Sequence, residues 1–548
     1  MRLVDYLDKG ASLGPDRPCL VAGEATLTYA DVQDVSVRVG AALRRSGVRA
    51  GDKVAILSAN DPVAFACVFG ISRLGAVWCP INPRNEAEEN RGLLDLFDCR
   101  CLIFQNTFAG LVGQIAPRLP GLTVLVCLDA ATDSAVAFDQ WIGGAGAESD
   151  VDLSTVDLST VDLSDVDVSD VDPGGGTANG VAMLVGTGGT TGTPKGVVLT
   201  ERNLETMSAL TLMCYPFHGR PTYLALPPLT HAAGVLCFPI MALGGKIVIT
   251  AHPDIGEFLA LVERHRVTHT FLPPTVIYLL LGHPAVRSTD YGSLQCFWYG
   301  AAPMSVARLR EALDVFGPVM AQLFGQSEAP MMISTMSPAE HFRPDGSVAV
   351  ARLGSAGRPS PLVTVAIMDS SGALLPTGER GEIVVRSSLV MAGYYKNPAA
   401  TAEVSAHGWH HTGDIGYLDA ENYLYIVDRA KDMIISGGFN VYSAEVEQTL
   451  MQHPDVYEAA VIGLPDEKWG ERVTAVIQVN PEHEVNATDI TAFVKARIGS
   501  VKTPKQIEMW PDLPRSKLGK VLKADIRAKI LARTQPSTPP NASSQPPD

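Results

Sequence analysis

The sequence predicts an α/β protein with mostly parallel sheets, and two patterns in its first 130 residues carry that prediction. A helix capped by Thr28 has apolar residues at helical spacing on one face: Val32, Val35, Val39 and Leu43. After it, a buried strand over Lys53–Leu57 opens an alternation of elements: a helix over about 62–74 and strands over about 76–79, 101–104 and 122–127. Helices that alternate with short buried strands are typical of βαβ units. A chain of 548 residues also predicts several domains.

Composition excludes several classes of protein. With 46% hydrophobic and 19% charged residues, the chain is neither disordered nor fibrous. Its most apolar uncharged stretch, residues 232–245, is shorter than the roughly 20 residues of a membrane-spanning helix, and the first residues lack the apolar block of a signal peptide. Nine irregularly spaced cysteines fit neither a disulfide framework nor a zinc site. We therefore expect a cytoplasmic protein without transmembrane segments.

The net charge of −16 argues against nucleic acid as a partner, because phosphate backbones bind basic surfaces. The charge is concentrated between Arg118 and Lys195, where twelve acidic residues and no basic one occur. Within this segment, residues 151–170 repeat a five-residue Val-Asp-Leu-Ser pattern four times. A pentapeptide β-helix is the alternative, but four copies make about one coil, which cannot bury its own face. We expect an acidic solvated loop over 145–178, and a disordered tail over the Pro- and Ser-rich residues 534–548.

A segment rich in glycine and threonine has the composition of a phosphate-binding loop. A short apolar strand, Val181–Val185, leads into Gly186-Thr-Gly-Gly-Thr-Thr-Gly-Thr-Pro-Lys-Gly196. Glycines let the backbone approach a ligand, threonines supply hydroxyl donors, and Lys195 supplies a cation. It is not a Walker A loop, because Gly196 rather than Ser or Thr follows the lysine. A surface hairpin without a ligand is the alternative.

Six further motifs follow this loop. In chain order they are Pro228-Leu-Thr-His231, Gly300-Ala-Ala-Pro303, Phe324-Gly-Gln-Ser-Glu328, Gly408-Trp-His-His-Thr-Gly-Asp414, Asp428-Arg-Ala-Lys-Asp432 with its continuation to Val441, and Pro514-Arg-Ser-Lys-Leu-Gly-Lys520. Together with the loop, they resemble the adenylate-forming superfamily of acyl-CoA synthetases, peptide-synthetase adenylation domains and firefly-type luciferases, and the resemblance covers about residues 10–530.

The resemblance implies a large N-terminal domain of α/β subdomains over 1–427, a hinge over 428–431, and a small mobile α+β domain over 432–533. It also implies a reaction in which a carboxylate attacks the α-phosphate of ATP, giving an acyl-adenylate and pyrophosphate. Coenzyme A then receives the acyl group. Because two anions must meet, catalysis depends mostly on neutralising charge and on positioning.

The resemblance assigns residues to each task. Lys520, His231 and Glu328 are the implied catalytic residues, and Glu328 also holds Mg²⁺. Lys431 is the implied hinge residue. The implied ATP- and AMP-binding residues are Thr187, Gly188, Gly189, Thr190, Thr191, Gly192, Lys195, Gly300, Ala301, Ala302, Phe324, Gly325, Ser327, Asp414 and Arg429, and the implied CoA-binding residues are Ser436, Gly437 and Gly438. The chain departs from most relatives at Gly188, where they have Ser and so one more hydroxyl donor, and at Phe324 and Ser327, where they have Tyr and Thr.

The sequence favours a small-molecule acid with an uncharged acyl chain, fatty or aromatic. Relatives that activate amino acids place an aspartate near His231, but no acidic residue occurs over 227–243. Apolar or aromatic residues are expected near the acyl pocket, at Val276, Trp298, Tyr299 and Met331. A fatty acid is the preferred substrate, and coenzyme A is the preferred acceptor. A homodimer is also compatible with the sequence.

Three other functions stay open at this point. An acyl-AMP ligase would pass the acyl group to a carrier protein, and a non-catalytic sensor would bind the acyl-adenylate without turnover. A hydrolase is the rival from another class, because Gly325-Gln-Ser-Glu-Ala329 has the form of a nucleophile elbow. That elbow requires a helix directly after Ser327, whereas Pro330 follows closely.

Overall fold

The structure is a computed structural model that describes residues 1–130, 132, 134–143, 180–187, 194–230, 232–250, 254–430, 432–437, 439–479, 486–515 and 521–534. The described chain divides into two compact units. The first contains Met1–Thr412 and Tyr417–Tyr425, and the second contains Gly413–Gly416 and the described residues from Ile426 onward. The acidic loop 145–178 and all but the first residue of the tail 534–548 lie outside the described residues. The domain limits at 427, 431 and 533 stay predictions.

The first sheet of the first unit carries the phosphate-loop hairpin. Its order is β19-β9-β8-β4-β3-β5-β6-β7, and the β4–β3–β5–β6 neighbours are parallel, as predicted. Buried side chains on both faces of the inner strands explain their continuous apolar sequences. In this order the strands are Gly393–Tyr394, Lys195–Thr200, Val181–Thr187, Val77–Ile81, Lys53–Leu57, Cys99–Phe104, Val124–Cys127 and Val136–Ala137.

The second sheet positions two more of the predicted motifs. Its order is β16-β15-β14-β13-β12-β10-β11-β1-β2, and β14, β13, β12, β10 and β11 are parallel neighbours. The carboxyl ends of parallel strands meet at one sheet edge, where α/β proteins bind ligands. In this order the strands are Arg358–Pro359, Ala329–Met336, Met320–Gln326, Cys296–Gly300, His269–Leu272, Thr222–Ala225, Lys246–Ile249, Pro18–Ala22 and Ala25–Thr28.

Two further sheets complete the described fold. One has the order β17-β18-β20-β21, with strands Thr364–Met368, Gly381–Arg386, His410–Leu418 and Leu424–Arg429. The other belongs to the second unit and has the order β23-β22-β25-β24, with β26 beside β25. Its strands, in chain order from β22 to β26, are Ile434–Ser436, Phe439–Val441, Val456–Asp466, Gly470–Val479 and Gln506–Met509.

Helices cover these sheets, and several begin at the residues that the sequence predicts. Thr28 caps α2, accepting a hydrogen bond from the Asp31 amide, and Asp61 caps α3 through the Ala64 amide. No described helix is long and apolar enough to cross a membrane. Helices α1–α16 are Leu3–Ser12, Tyr29–Arg45, Pro62–Arg73, Ala87–Leu96, Ala109–Ile115, Phe138–Gly143, Glu201–Cys214, Ala232–Val235, Cys237–Ala242, Ile255–Arg264, Pro274–Leu281, Val306–Phe316, Pro398–Val404, Ser443–Leu450, Ala487–Lys502 and Lys523–Thr534.

Candidate active site

The phosphate-loop segment begins and ends on an antiparallel hairpin. Thr187 at the end of β8 pairs with Lys195 at the start of β9, and the Thr187 hydroxyl donates to the Lys195 carbonyl over 3.3 Å. Both residues are half-buried. The hairpin therefore holds the two ends of the predicted loop close together. The predicted residues between them, Gly188, Gly189, Thr190, Thr191 and Gly192, lie outside the described residues.

The adjacent ends of β13 and β14 bring the predicted adenine-binding residues together. Gly300 lies opposite Leu323, one residue before Phe324, in this parallel pair. A Cβ atom at Gly300 would lie 2.3 Å from the Leu323 carbonyl oxygen, so only glycine allows this close approach. Ala301 then adopts a left-handed conformation with φ of 64°, which is strained for a residue with a side chain. Backbone strain of this kind is concentrated at functional sites.

Ser327 and Glu328 form the tip of a two-residue hairpin between β14 and β15, because Gln326 pairs directly with Ala329. A strand rather than a helix follows Ser327, so the hydrolase alternative is wrong: its nucleophile elbow requires a strand-to-helix turn. The register shifts just before the tip, and Met331 on the returning strand has a φ of 63°. Such bulges are over-represented beside active sites, where they re-aim side chains.

A tyrosine that the sequence analysis missed connects Glu328 with Lys195. The Tyr394 hydroxyl donates to Glu328 Oε1 over 2.7 Å, and Lys195 Nζ lies 4.8 Å from the centroid of the same ring. Burial and the negative charge of Glu328 raise the pKa of Tyr394 well above its ordinary value, which favours the protonated donor. The only sequence signal is a Gly-Tyr-Tyr-Lys-Asn-Pro segment over 393–398, which has no pattern specific to a binding site.

Two more residues near the hairpin tip were missed. Gln326 Nε2 donates to the Thr412 carbonyl over 2.7 Å, and its Oε1 lies 3.4 Å from His410 Nε2. Burial lowers the pKa of His410, whose Nδ1 has no hydrogen-bond partner among the described residues. These contacts attach the hairpin tip to the segment that precedes Asp414. Both residues lie inside the predicted family motifs, and that position is the sequence signal that could have identified them.

In the second unit, Asp414 and Arg429 form an ion pair. Arg429 Nε lies 2.9 Å from Asp414 Oδ1, where the Asp414 side chain is 5% exposed and the Arg429 side chain is 43% exposed. The Ala430 amide donates to the Gly413 carbonyl over 2.9 Å, which holds the two backbone segments together. The structure thus brings together the two residues that the resemblance assigned to one nucleotide, and leaves the guanidinium accessible.

The remaining predicted residues fall into two groups. Ser436 is buried and its hydroxyl has no hydrogen-bond partner among the described residues, while Gly437 has a φ of 59° and its amide donates to the Trp469 carbonyl over 2.7 Å. His231, Lys431, Gly438 and Lys520 lie outside the described residues. Their roles stay predictions.

Two residues expected near one acyl pocket do not share a wall. Trp298 and Tyr299 are adjacent on β13, so their side chains face opposite sides of the sheet. Both are fully buried, in different core clusters, and the Tyr299 hydroxyl pairs with His341 Nε2 over 2.9 Å. At most one of them can line a given pocket.

The side chains around Glu328 fit Mg²⁺ only as an ion that is shared with a bound nucleotide. No group of three metal-ligating side chains occurs among the residues that the structure describes. Mg²⁺ is commonly bound by one or two carboxylates together with the phosphates of a nucleotide. A single carboxylate at a hairpin tip, hydrogen-bonded to the tyrosine whose ring a lysine faces, suits that mode and does not suit a cage of protein ligands.

Comparison with known proteins places the chain in a family. The AMP-binding enzyme family matches residues 7–395, and the AMP-binding enzyme C-terminal domain matches residues 445–520. The chain therefore belongs to the AMP-binding enzyme family, and the predicted resemblance to the adenylate-forming superfamily, in its acyl-CoA synthetase branch, is confirmed. It is an enzyme of the acid–thiol ligase class.

Individual relatives differ in their acids. The chain is 41% identical over 357 residues to medium/long-chain-fatty-acid–CoA ligase FadD8 of Mycobacterium tuberculosis (strain ATCC 25618 / H37Rv), covering 64% of this chain and 61% of that protein. It is 33% identical over 526 residues to feruloyl-CoA synthase of an Amycolatopsis species, covering 95% and 97%. Amide bond synthetase McbA from Marinactinospora thermotolerans has a TM-score of 0.83 at 28% identity, covering 96% and 99%.

Proposed function

We propose that this enzyme uses ATP to activate a carboxylic acid as acyl-AMP, releasing pyrophosphate, and then transfers the acyl group to coenzyme A. The observation that carries the proposal is that Tyr394 contacts both Lys195 and Glu328, which lie at the ends of two hairpins. A cation over the face of one ring and a carboxylate at its hydroxyl group provide the two charges that bind a metal–triphosphate complex.

Each residue assigned to the proposed reaction has a physical task, in the first unit or in the second. Lys195 and the loop that it ends neutralise phosphate oxygens, while Phe324 offers a ring face and Ala301 offers strained backbone to the adenine. Arg429 and Asp414 present a donor fork and an acceptor to the ribose. Lys520 brings a second cation to the point where carboxylate and α-phosphate meet. Bound Mg²⁺ would supply further neutralisation of phosphate charge at Glu328.

We propose a fatty acid as the substrate. The segment 227–243 contains no acidic residue that could pair with an ammonium group, and its described side chains include buried apolar groups such as Leu229, Val235 and Leu236. FadD8, named for medium and long-chain fatty acids, supports this choice. An aromatic acid is the second candidate, because feruloyl-CoA synthase matches nearly the whole chain.

The experiment is an acid panel assayed for pyrophosphate release, with the thioester identified by mass spectrometry. We expect pyrophosphate and acyl-CoA from medium or long-chain acids. Pyrophosphate with an acyl group found only on a carrier protein would favour the acyl-AMP ligase, and acyl-AMP binding without pyrophosphate release would favour the sensor. If no acid gives pyrophosphate or acyl-CoA, the proposal is refuted.

Single-turnover measurements of the two half-reactions test the residue roles. Lys520→Ala should slow adenylation by about 100-fold or more and should largely spare transfer from supplied acyl-AMP. Lys431→Pro restricts a backbone dihedral, so adenylation should survive while transfer fails. Lys9→Ala, on an exposed face of α1, is the control and should leave both steps unchanged. Equal damage to both steps by both variants would refute the hinge role, and full adenylation by Lys520→Ala would refute the catalytic one.

A further inference from the structure

The segment that carries Tyr394 is hydrogen-bonded to both hairpins of the proposed nucleotide site. On one side, the Tyr395 amide donates to the Gly196 carbonyl over 2.7 Å, directly after the phosphate loop. On the other, the Met391 amide donates to the Glu328 carbonyl over 2.8 Å. These backbone bonds fix the position of the segment relative to both hairpin ends. A side chain on this segment can therefore contact residues of both hairpins.

The Tyr394 side chain contacts a residue of each hairpin. It is 9% exposed, its ring faces the ammonium of Lys195 at 4.8 Å, and its hydroxyl donates to Glu328 over 2.7 Å. A hydrogen bond to a carboxylate is stronger than one between neutral groups, and a cation is attracted to a ring face. The same ring therefore contacts both charges, the lysine at its face and the carboxylate at its hydroxyl group.

These two contacts have a chemical consequence. The hydroxyl bond at Oε1 occupies one of the roughly four acceptor positions of the carboxylate and restricts its orientation, while the other positions stay available to a metal ion. The lysine keeps donors for phosphate oxygens, since a ring face accepts no conventional hydrogen bond.

We propose that Tyr394 is a positioning residue of the nucleotide site: its hydroxyl orients Glu328, while the ammonium of Lys195 lies over its ring. The inference rests on the proposed function, because it assigns both charges to the binding of ATP with Mg²⁺. Tyr394 itself touches no reacting atom in this scheme. Its effect is exerted through Glu328.

The test is calorimetric titration of ATP with MgCl₂ in the absence of acid, so that binding is measured without turnover. Tyr394→Phe keeps the ring and removes the hydroxyl, and we expect it to raise the Kd of ATP about tenfold or more, as the loss of a hydrogen bond to a charged group predicts. Tyr395→Phe is the matched control: the hydroxyl that it removes donates to Asp98 over 2.9 Å. It should bind ATP within about twofold of wild type.

A double-mutant cycle separates positioning from general packing. If the hydroxyl acts through Glu328, the double variant Tyr394→Phe/Glu328→Ala should bind ATP no more weakly than Glu328→Ala alone. Losses that multiply would overturn the inference, as would Tyr394→Phe binding ATP as tightly as Tyr395→Phe. Melting temperatures of all four variants identify any that are unfolded, and Glu328→Ala alone must weaken binding for the scheme to stand.

The two proposals fail in different ways. If the variants show the expected ATP affinities but the wild-type enzyme releases no pyrophosphate with any acid, the proposed function is refuted and the positioning role of Tyr394 stands. If the wild-type enzyme forms acyl-AMP but Tyr394→Phe binds ATP normally, the positioning role is refuted and the proposed function stands. A wild-type enzyme that does not bind ATP refutes both.

Discussion

Gly325 allows β14 and the returning strand β15 to approach each other next to the hairpin tip, so Gly325→Ala tests whether this approach is required. A Cβ atom at 325 would lie 2.3 Å from the Met331 amide nitrogen, 2.6 Å from Met331 Cα and 2.8 Å from the Ala329 carbonyl oxygen. Non-bonded heavy atoms prefer separations of about 3.5 to 4.0 Å. Backbone atoms of a paired strand must therefore shift by about 1 Å, and no flexible side chain is available to yield instead.

Overpacking of this kind destabilises proteins by about 1 to 3 kcal/mol, and we expect the upper end because backbone must move. The assay is thermal unfolding monitored beside ATP binding. Gly113→Ala is the matched control in the same unit: an added Cβ there meets nothing within 4 Å, and alanine favours the interior of α5 by about 0.5 to 1 kcal/mol. If Gly325→Ala melts at or above the temperature of Gly113→Ala and binds ATP normally, the requirement for a close approach is refuted.

Three further predictions concern pH, the ribose contact and the acidic repeat. Burial lowers the pKa of His269 to about 4 from an ordinary 6.5. Between these pH values the unfolded chain binds more protons than the folded one, so stability falls as the pH falls, and His269→Gln should make the melting temperature depend less on pH. Asp414→Asn weakens the ion pair with Arg429 and the acceptor proposed for the ribose, so the Kd of ATP should rise about tenfold by calorimetry. A change below twofold would contradict the proposed role. Replacing residues 151–172 with a Gly/Ser linker should leave kcat/KM for ATP within about threefold; a hundredfold loss in a folded variant would place the repeat in the site.

Features that depend on nearby residues were predictable from the sequence. Thr28 begins α2, and Lys53–Leu57 forms β3, because a cap and an apolar run each act within a few residues. The two-residue turn at Ser327 was not predicted, but Pro330 correctly counted against a helix there. Motif order identified the family because six separate segments had to agree.

Features that depend on distant contacts were not predictable. The bond from Tyr394 to Glu328 joins residues 66 positions apart, and no local pattern encodes it. The positive φ of Ala301 is equally invisible, since alanine normally avoids that conformation. The prediction that Trp298 and Tyr299 lie near the same pocket was wrong, because residue type was considered without the alternation of side chains along a strand.

The ion pair of Asp414 with Arg429 has a consequence for how readily the enzyme accepts a nucleotide. An unrestrained arginine carries about 2 kcal/mol of rotamer entropy, which binding would have to remove. Here the contact at 2.9 Å already restricts the guanidinium before any ligand arrives. In the proposed function, part of the ordering needed to receive ATP therefore took place when the chain folded. Affinity gained in this way comes from preorganisation and requires no additional contact with the ligand.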